Sequence, residues 1–117
     1  MNMDDLMGKH CQACEGGVVP LNKAEAEKLL QKLPGWELDS AAKQIHRSFS
    51  FKNYYHTMSF VNAIAYLANI ENHHPDLEVS YNRCVVRFTT HAINGLSEND
   101  FICAIKVNGL NAMKKPA

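Results

Sequence analysis

Residues 71–91 read Glu71-Asn72-His73-His74-Pro75-Asp76-Leu77-Glu78-Val79-Ser80-Tyr81-Asn82-Arg83-Cys84-Val85-Val86-Arg87-Phe88-Thr89-Thr90-His91. After Pro75 the apolar residues recur at every second position, the period of a half-buried strand. Leu77, Val79 and Tyr81 alternate with Glu78, Ser80 and Asn82; a turn at Asn82-Arg83 follows, and a second alternating run ends at His91. This is a β-hairpin. Before Pro75 the period is helical. Phe60, Ile64 and Leu67 form one row, with Val61, Ala65 and Ala68 beside it. Such a face suits a helix lying across a sheet. Pro75 disfavours helical geometry at His74, so the helix should end at about Asn72 or His73.

The preceding chain repeats the arrangement. Asn22 and Glu25 have the spacing of a capping box, and Ala26, Leu29, Leu30 and Leu33 follow at helical intervals up to Pro34-Gly35. Trp36 and Leu38 alternate with Glu37 and Asp39. After a turn at Ser40 to Lys43, Ile45, Arg47, Phe49 and Phe51 alternate with His46, Ser48, Ser50 and Lys52. His46 is expected on the outer face with the serines. Asn53 is the expected cap of the long helix. Downstream, Asn94-Gly95 marks a loop and Ser97, with Asp100 three residues on, a near capping box. Phe101, Ala104 and Ile105 supply the last apolar face, with Gly109 as its expected C-terminal cap. The order is helix-β-β-helix-β-β-helix. It implies an α+β domain: a four-stranded antiparallel sheet with helices packed on one face.

Three segments are expected: an N-terminal arm over 1–21, one domain over 22–112, and a polar tail over 113–117. The 117 residues suffice for a single core. Twelve basic residues balance twelve acidic ones, which argues against a nucleic-acid binder working through bulk charge. No apolar run approaches the ~20 residues of a membrane helix, and Asp4, Asp5 and Lys9 lack the layout of a signal peptide. A cytoplasmic protein with reduced thiols is expected. The arm shows no clear period. His10, Cys11 and Cys14 have the spacing of half a zinc site, but Cys84 and Cys103 stand alone in apolar contexts and do not complete it. A loosely held arm without metal is the expectation.

His73, His74 and His91 gather three imidazoles next to Glu71. Histidine changes charge near neutrality, so the cluster can both donate and accept protons. The paired histidines should sit just past a helix C-terminus, whose free carbonyls favour imidazolium. Glu71 extends the apolar row by a turn, which places it either at the edge of the core or in solvent.

The ordered set Glu71-Asn72-His73-His74-Pro75, Tyr81-Asn82, Thr90-His91, Gly95-Leu96-Ser97 and Asp100 resembles the pterin-4a-carbinolamine dehydratases, over roughly residues 22–110. His10-Cys11-x-x-Cys14 is similar to an N-terminal feature of bacterial members. The resemblance implies dehydration of 4a-hydroxytetrahydropterin (4a-hydroxytetrahydrobiopterin) to quinonoid dihydropterin. The implied activity is that of a 4a-hydroxytetrahydrobiopterin dehydratase, a hydro-lyase needing no metal and no cofactor. It implies tetrahydropterin recycling for an aromatic amino acid hydroxylase, and a homodimer or homotetramer. By the same resemblance His73 and His91 are the main acid and base, and His74 chiefly holds the pterin. Glu71, Asn72, Thr89 and Thr90 would bind substrate. Asn72 stands where several members carry Asp, and Asn69 where many animal members carry Glu. Some members act instead as binding modules that stabilise transcription-factor dimers, a coactivator role needing no histidine chemistry.

Overall fold

The computed structural model describes residues 3–12 and 18–112, without the side chains of residues 3–5. The N-terminal helix α1 (Met3–Gly8) leads to α2 (Lys23–Leu30), β1 (Glu37–Leu38) and β2 (Ile45–Ser50). The long α3 (Tyr54–Glu71) precedes β3 (Asp76–Val79) and β4 (Arg83–Phe88). A 3₁₀ turn (His91–Ile93) and α4 (Glu98–Ala112) complete the order. The strands form one antiparallel sheet in the order β1-β2-β4-β3. The central pair, β2 with β4, joins the two expected hairpins, with Ile45 opposite Phe88 and Phe49 opposite Cys84.

One face of the sheet carries the core. Ile45, Phe49, Cys84, Val86 and Phe88 pack with Phe60 and Ile64 of α3 and with Phe101, Ile102 and Ile105 of α4. Truncating one of these, for example Ile64→Ala, should cost about 2–5 kcal/mol through lost burial and the cavity left behind. Of the expected helical rows, Phe60, Ile64 and Ala68 are buried, Val61 and Leu67 are partly so, and Ala65 is exposed. Thr57 completes the buried face; its hydroxyl donates to the carbonyls of Asn53 and Tyr81, so burial leaves no bond unmade.

Two of the three expected N-terminal caps form in full; at Ser97 the hydroxyl pairs with Thr90, and only the Asp100 carboxylate caps, on the Ser97 N–H. Asn22 and Glu25 make the reciprocal capping box, and Asn53 accepts from the His56 N–H. Four local expectations change. The arm contains a helix, α1, whose Leu6 is wholly buried; at six residues it is too short to show a period. Helix α2 stops at Leu30, and Lys32 and Leu33 donate to carbonyls three residues back, because Pro34 bars Leu33 from helical geometry. Strand β4 ends at Phe88, so His91 opens a 3₁₀ turn and does not end a strand. Gly109 lies inside α4 and does not cap it: a Cβ there would stand 3.1 Å from Met7 Cε, so glycine admits α1 against α4. The tail over 113–117 and Cys14 lie outside the described residues.

Candidate functional site

The site begins where α3 ends. Asn72 takes the left-handed conformation (φ 51°, ψ 42°), and the N–H groups of Asn72 and His73 both return to the Ala68 carbonyl. Asparagine tolerates this geometry better than most residues. The turn lays the His73 ring parallel to Phe88 at the end of β4, with centroids 6.0 Å apart and planes 8° apart.

His73 then meets a carboxylate that is wholly buried. Its Nε2–H donates to Asp100 Oδ1 at 2.6 Å. Asp100 Oδ2 accepts from the Thr90 hydroxyl at 2.8 Å and from the Ser97 N–H at 3.0 Å. Three donors therefore hold one buried carboxylate, as its desolvation requires. Asp100, expected as a helix cap, does cap the Ser97 N–H and also fixes the histidine. The signal was present in Ser97-x-x-Asp100, but only burial makes that carboxylate an orienting group. The remaining His73 nitrogen, Nδ1, has no protein partner among the described residues. His74 Nε2 lies 3.4 Å from the Asn69 amide oxygen. Thr90 is fixed by a bridge to Gly95, and the Thr89 hydroxyl donates to the Lys43 carbonyl at 2.6 Å.

A cavity of about 330 Å³ is lined by Gln12, Asn72, His73, His74, Thr89, Thr90, His91, Ala92 and Asn99. The fold thus brings together six of the expected site residues: the three histidines, Asn72, Thr89 and Thr90. Glu71 is not among them. It is almost fully buried at the end of α3, where Oε1 accepts the Cys11 N–H at 2.8 Å and Oε2 accepts from His10 Nδ1 at 2.9 Å. Lys106 Nζ stands 3.6 Å from Oε2. Burial pushes the Glu71 carboxyl up, but the Cys11 N–H, His10 and Lys106 more than offset it, so its pKa lies below the ordinary value. Helical geometry turns it away from its neighbours Asn72 and His73 and towards the arm.

The arm is accordingly tied down. His10 and Cys11 engage Glu71, Lys9 pairs with Glu98 at 2.9 Å, and Cys11 Sγ lies 3.4 Å from Cys103 Sγ. The hydrogen bond that the Cys103 thiol shares with Cys11, and then burial, push that thiol far up. Burial raises Cys84 to about 11. Gln12 and Asn99, which also line the cavity, carried no periodicity or motif signal in the sequence.

The model of the family described as pterin 4 alpha carbinolamine dehydratase matches residues 19–110. The chain belongs to that family. A relative in Nitrosomonas eutropha is 60% identical over 110 residues, covering 93% of this chain and 96% of that one. Another, in Legionella pneumophila strain Corby, is 58% identical over 107 residues, covering 91% and 95%. Both are provisionally named as pterin-4-alpha-carbinolamine dehydratases. A crystal structure described as a transcriptional coactivator/pterin dehydratase from Brucella melitensis superposes with a TM-score of 0.74 at 34% identity, over 78% of this chain and 97% of that one. A pterin dehydratase-like protein, described as a RuBisCO assembly factor in the alpha-carboxysome, shares the fold at a TM-score of 0.59 and 18% identity, over 68% and 93%. In this member of the family, Leu6 to Gln12 of the arm precede the matched region and still pack against it.

Proposed function

We propose that the protein dehydrates 4a-hydroxytetrahydropterin to quinonoid dihydropterin by general acid–base catalysis. One observation carries the reading: His73, His74 and His91 line a single cavity, and buried Asp100 fixes one ring nitrogen of His73. The reaction removes the proton from N5 and the hydroxyl from C4a, leaving a C4a=N5 double bond and one water. With Nε2–H held by Asp100, His73 offers its Nδ1 lone pair as the base for the N5 proton. Asp100 then stabilises the positive charge the ring acquires, as an orienting carboxylate does behind any histidine base. His91 is the acid that delivers a proton to the departing hydroxyl. The proton gained by His73 and the one lost by His91 are re-equilibrated through solvent, so the cycle closes without a cofactor. His74, steadied by Asn69, holds the pterin, with Asn72, Thr89 and Thr90 around it.

In a cell this activity would serve tetrahydropterin recycling after an aromatic amino acid hydroxylase, in the cytoplasm. Stopped-flow measurement of dehydration, using carbinolamine generated enzymatically in the mixing step, tests the reading. Acceleration over the spontaneous reaction is expected, and its absence in folded protein sinks the proposal. A coactivator-like binding role draws on a different feature, the exposed Tyr55, Tyr66 and Ile70 of α3. It gains if a stoichiometric protein partner is captured and no dehydration is found.

A further inference from the structure

Residues 3–12 precede the region matched by the family, yet the last of them reaches the cavity. Gln12 is held there by its backbone alone. Its N–H donates to Asn99 Oδ1 at 3.0 Å, and its carbonyl accepts from Asn99 Nδ2 at 2.6 Å. The Asn99 amide thus pairs with the Gln12 backbone in both directions, as a neighbouring strand would. Asn99 is itself buried, and the adjoining Cys11 N–H is anchored on buried Glu71. The position of Gln12 is therefore set without its side chain.

Of the cavity's four other neutral polar side chains, Asn72 adjoins the histidines and the remaining three are committed to protein partners. The Thr89 hydroxyl is engaged by the Lys43 and Gly95 carbonyls, the Thr90 hydroxyl donates to Asp100 and accepts from the Ser97 hydroxyl, and the Asn99 amide is paired with Gln12. The Gln12 carboxamide has no protein partner among the described residues. It offers a donor and an acceptor side by side on a backbone already ordered, so little further ordering is needed to bind. The 2-amino-4-oxopyrimidine ring of a pterin presents donors and acceptors side by side along its edge, a match for a carboxamide. The histidines serve the other end of the reaction, at C4a and N5.

We infer that Gln12 is a substrate-recognition residue, contributed by the arm, whose carboxamide reads the 2-amino edge of the pterin ring. The inference rests on the dehydratase reading above. Gln12→Ala separates the two roles of the residue, because alanine keeps the N–H and the carbonyl that Asn99 holds. Its melting temperature should match that of the unaltered protein. Its Kd for 7,8-dihydropterin and its KM for the carbinolamine should rise about 3- to 10-fold, the loss of one neutral hydrogen bond, with kcat retained. Gln12→Glu keeps the length and the acceptor but drops the amide donor. It should therefore shift preference towards 7,8-dihydropterin over its 2-oxo analogue, measured as a ratio of Kd values by calorimetry. If the unaltered protein binds dihydropterin and turns over the carbinolamine, but Gln12→Ala leaves Kd and KM unchanged, the inference is wrong and the dehydratase reading stands. Equal weakening of both ligands by Gln12→Glu would also overturn it. If the unaltered protein neither binds nor turns over, it is the dehydratase reading that fails.

Discussion

Asp100→Asn changes one buried atom and is expected to cost most of the catalysis. The carboxylate accepts three hydrogen bonds: Oδ1 from His73 Nε2–H, and Oδ2 from the Thr90 hydroxyl and the Ser97 N–H. Asparagine has one acceptor oxygen. The Ser97 N–H can only donate, so the amide oxygen must take the Oδ2 position. The NH₂ group then faces His73 Nε2 across the former 2.6 Å contact. Two donors cannot share that contact, so the His73 proton moves to Nδ1 and the lone pair offered to substrate disappears. A lost or mis-set base lowers kcat by roughly 10²–10⁴-fold. KM should change little, since the ring remains stacked on Phe88. The charge-assisted bond is worth about 1.5–3 kcal/mol, so the variant should melt earlier but still fold. Asp100→Ala is the less informative change, because it strands three donors at once. The assay is stopped-flow dehydration at saturating substrate, on protein shown folded by circular dichroism. A folded Asp100→Asn protein with kcat within a few-fold of the unaltered protein would refute the tautomer argument.

Three further outcomes are expected. His73→Ala and His91→Ala should each lower kcat by roughly 10²–10⁴-fold, with a double variant less than multiplicatively worse, whereas His74→Ala should act mainly on KM; near-normal kcat in both folded single variants would remove the acid–base assignment. The depressed Glu71 pKa makes its contribution to stability fully present above the ordinary carboxylate value of 4.5, and that contribution is lost as pH falls through the lower folded value. Glu71→Gln should therefore destabilise the protein at neutral pH and approach the unaltered protein in acid, and a difference in denaturant-derived stability independent of pH would contradict this. The sheet ends in β1 and β3, whose outer edges have no strand partner among the described residues, so light scattering should find a dimer or tetramer at micromolar concentration; a clean monomer at high concentration would count against it.

The sequence alone determined the elements that local chemistry controls. Caps at Asn22 and Asn53, the proline-limited end of α3 and the period-2 runs gave the helix and strand order, because each depends on neighbours within a turn or on one sheet face. The family motif singled out His73, His74 and His91, which lie just beyond the ends of α3 and β4 and line one cavity. What adjacency in the chain could not decide was where polar side chains find their partners. Glu71 and His73 are two residues apart, yet the helix directs Glu71 to the arm and the left-handed turn at Asn72 carries His73 to Asp100. Cys11 and Cys103, and Gln12 and Asn99, meet across more than eighty residues with no periodicity to announce them. Hydrophobic pattern is written along the chain, since it must repeat with the backbone. A buried hydrogen-bond partner is chosen by three-dimensional packing, and only the tertiary structure supplies it.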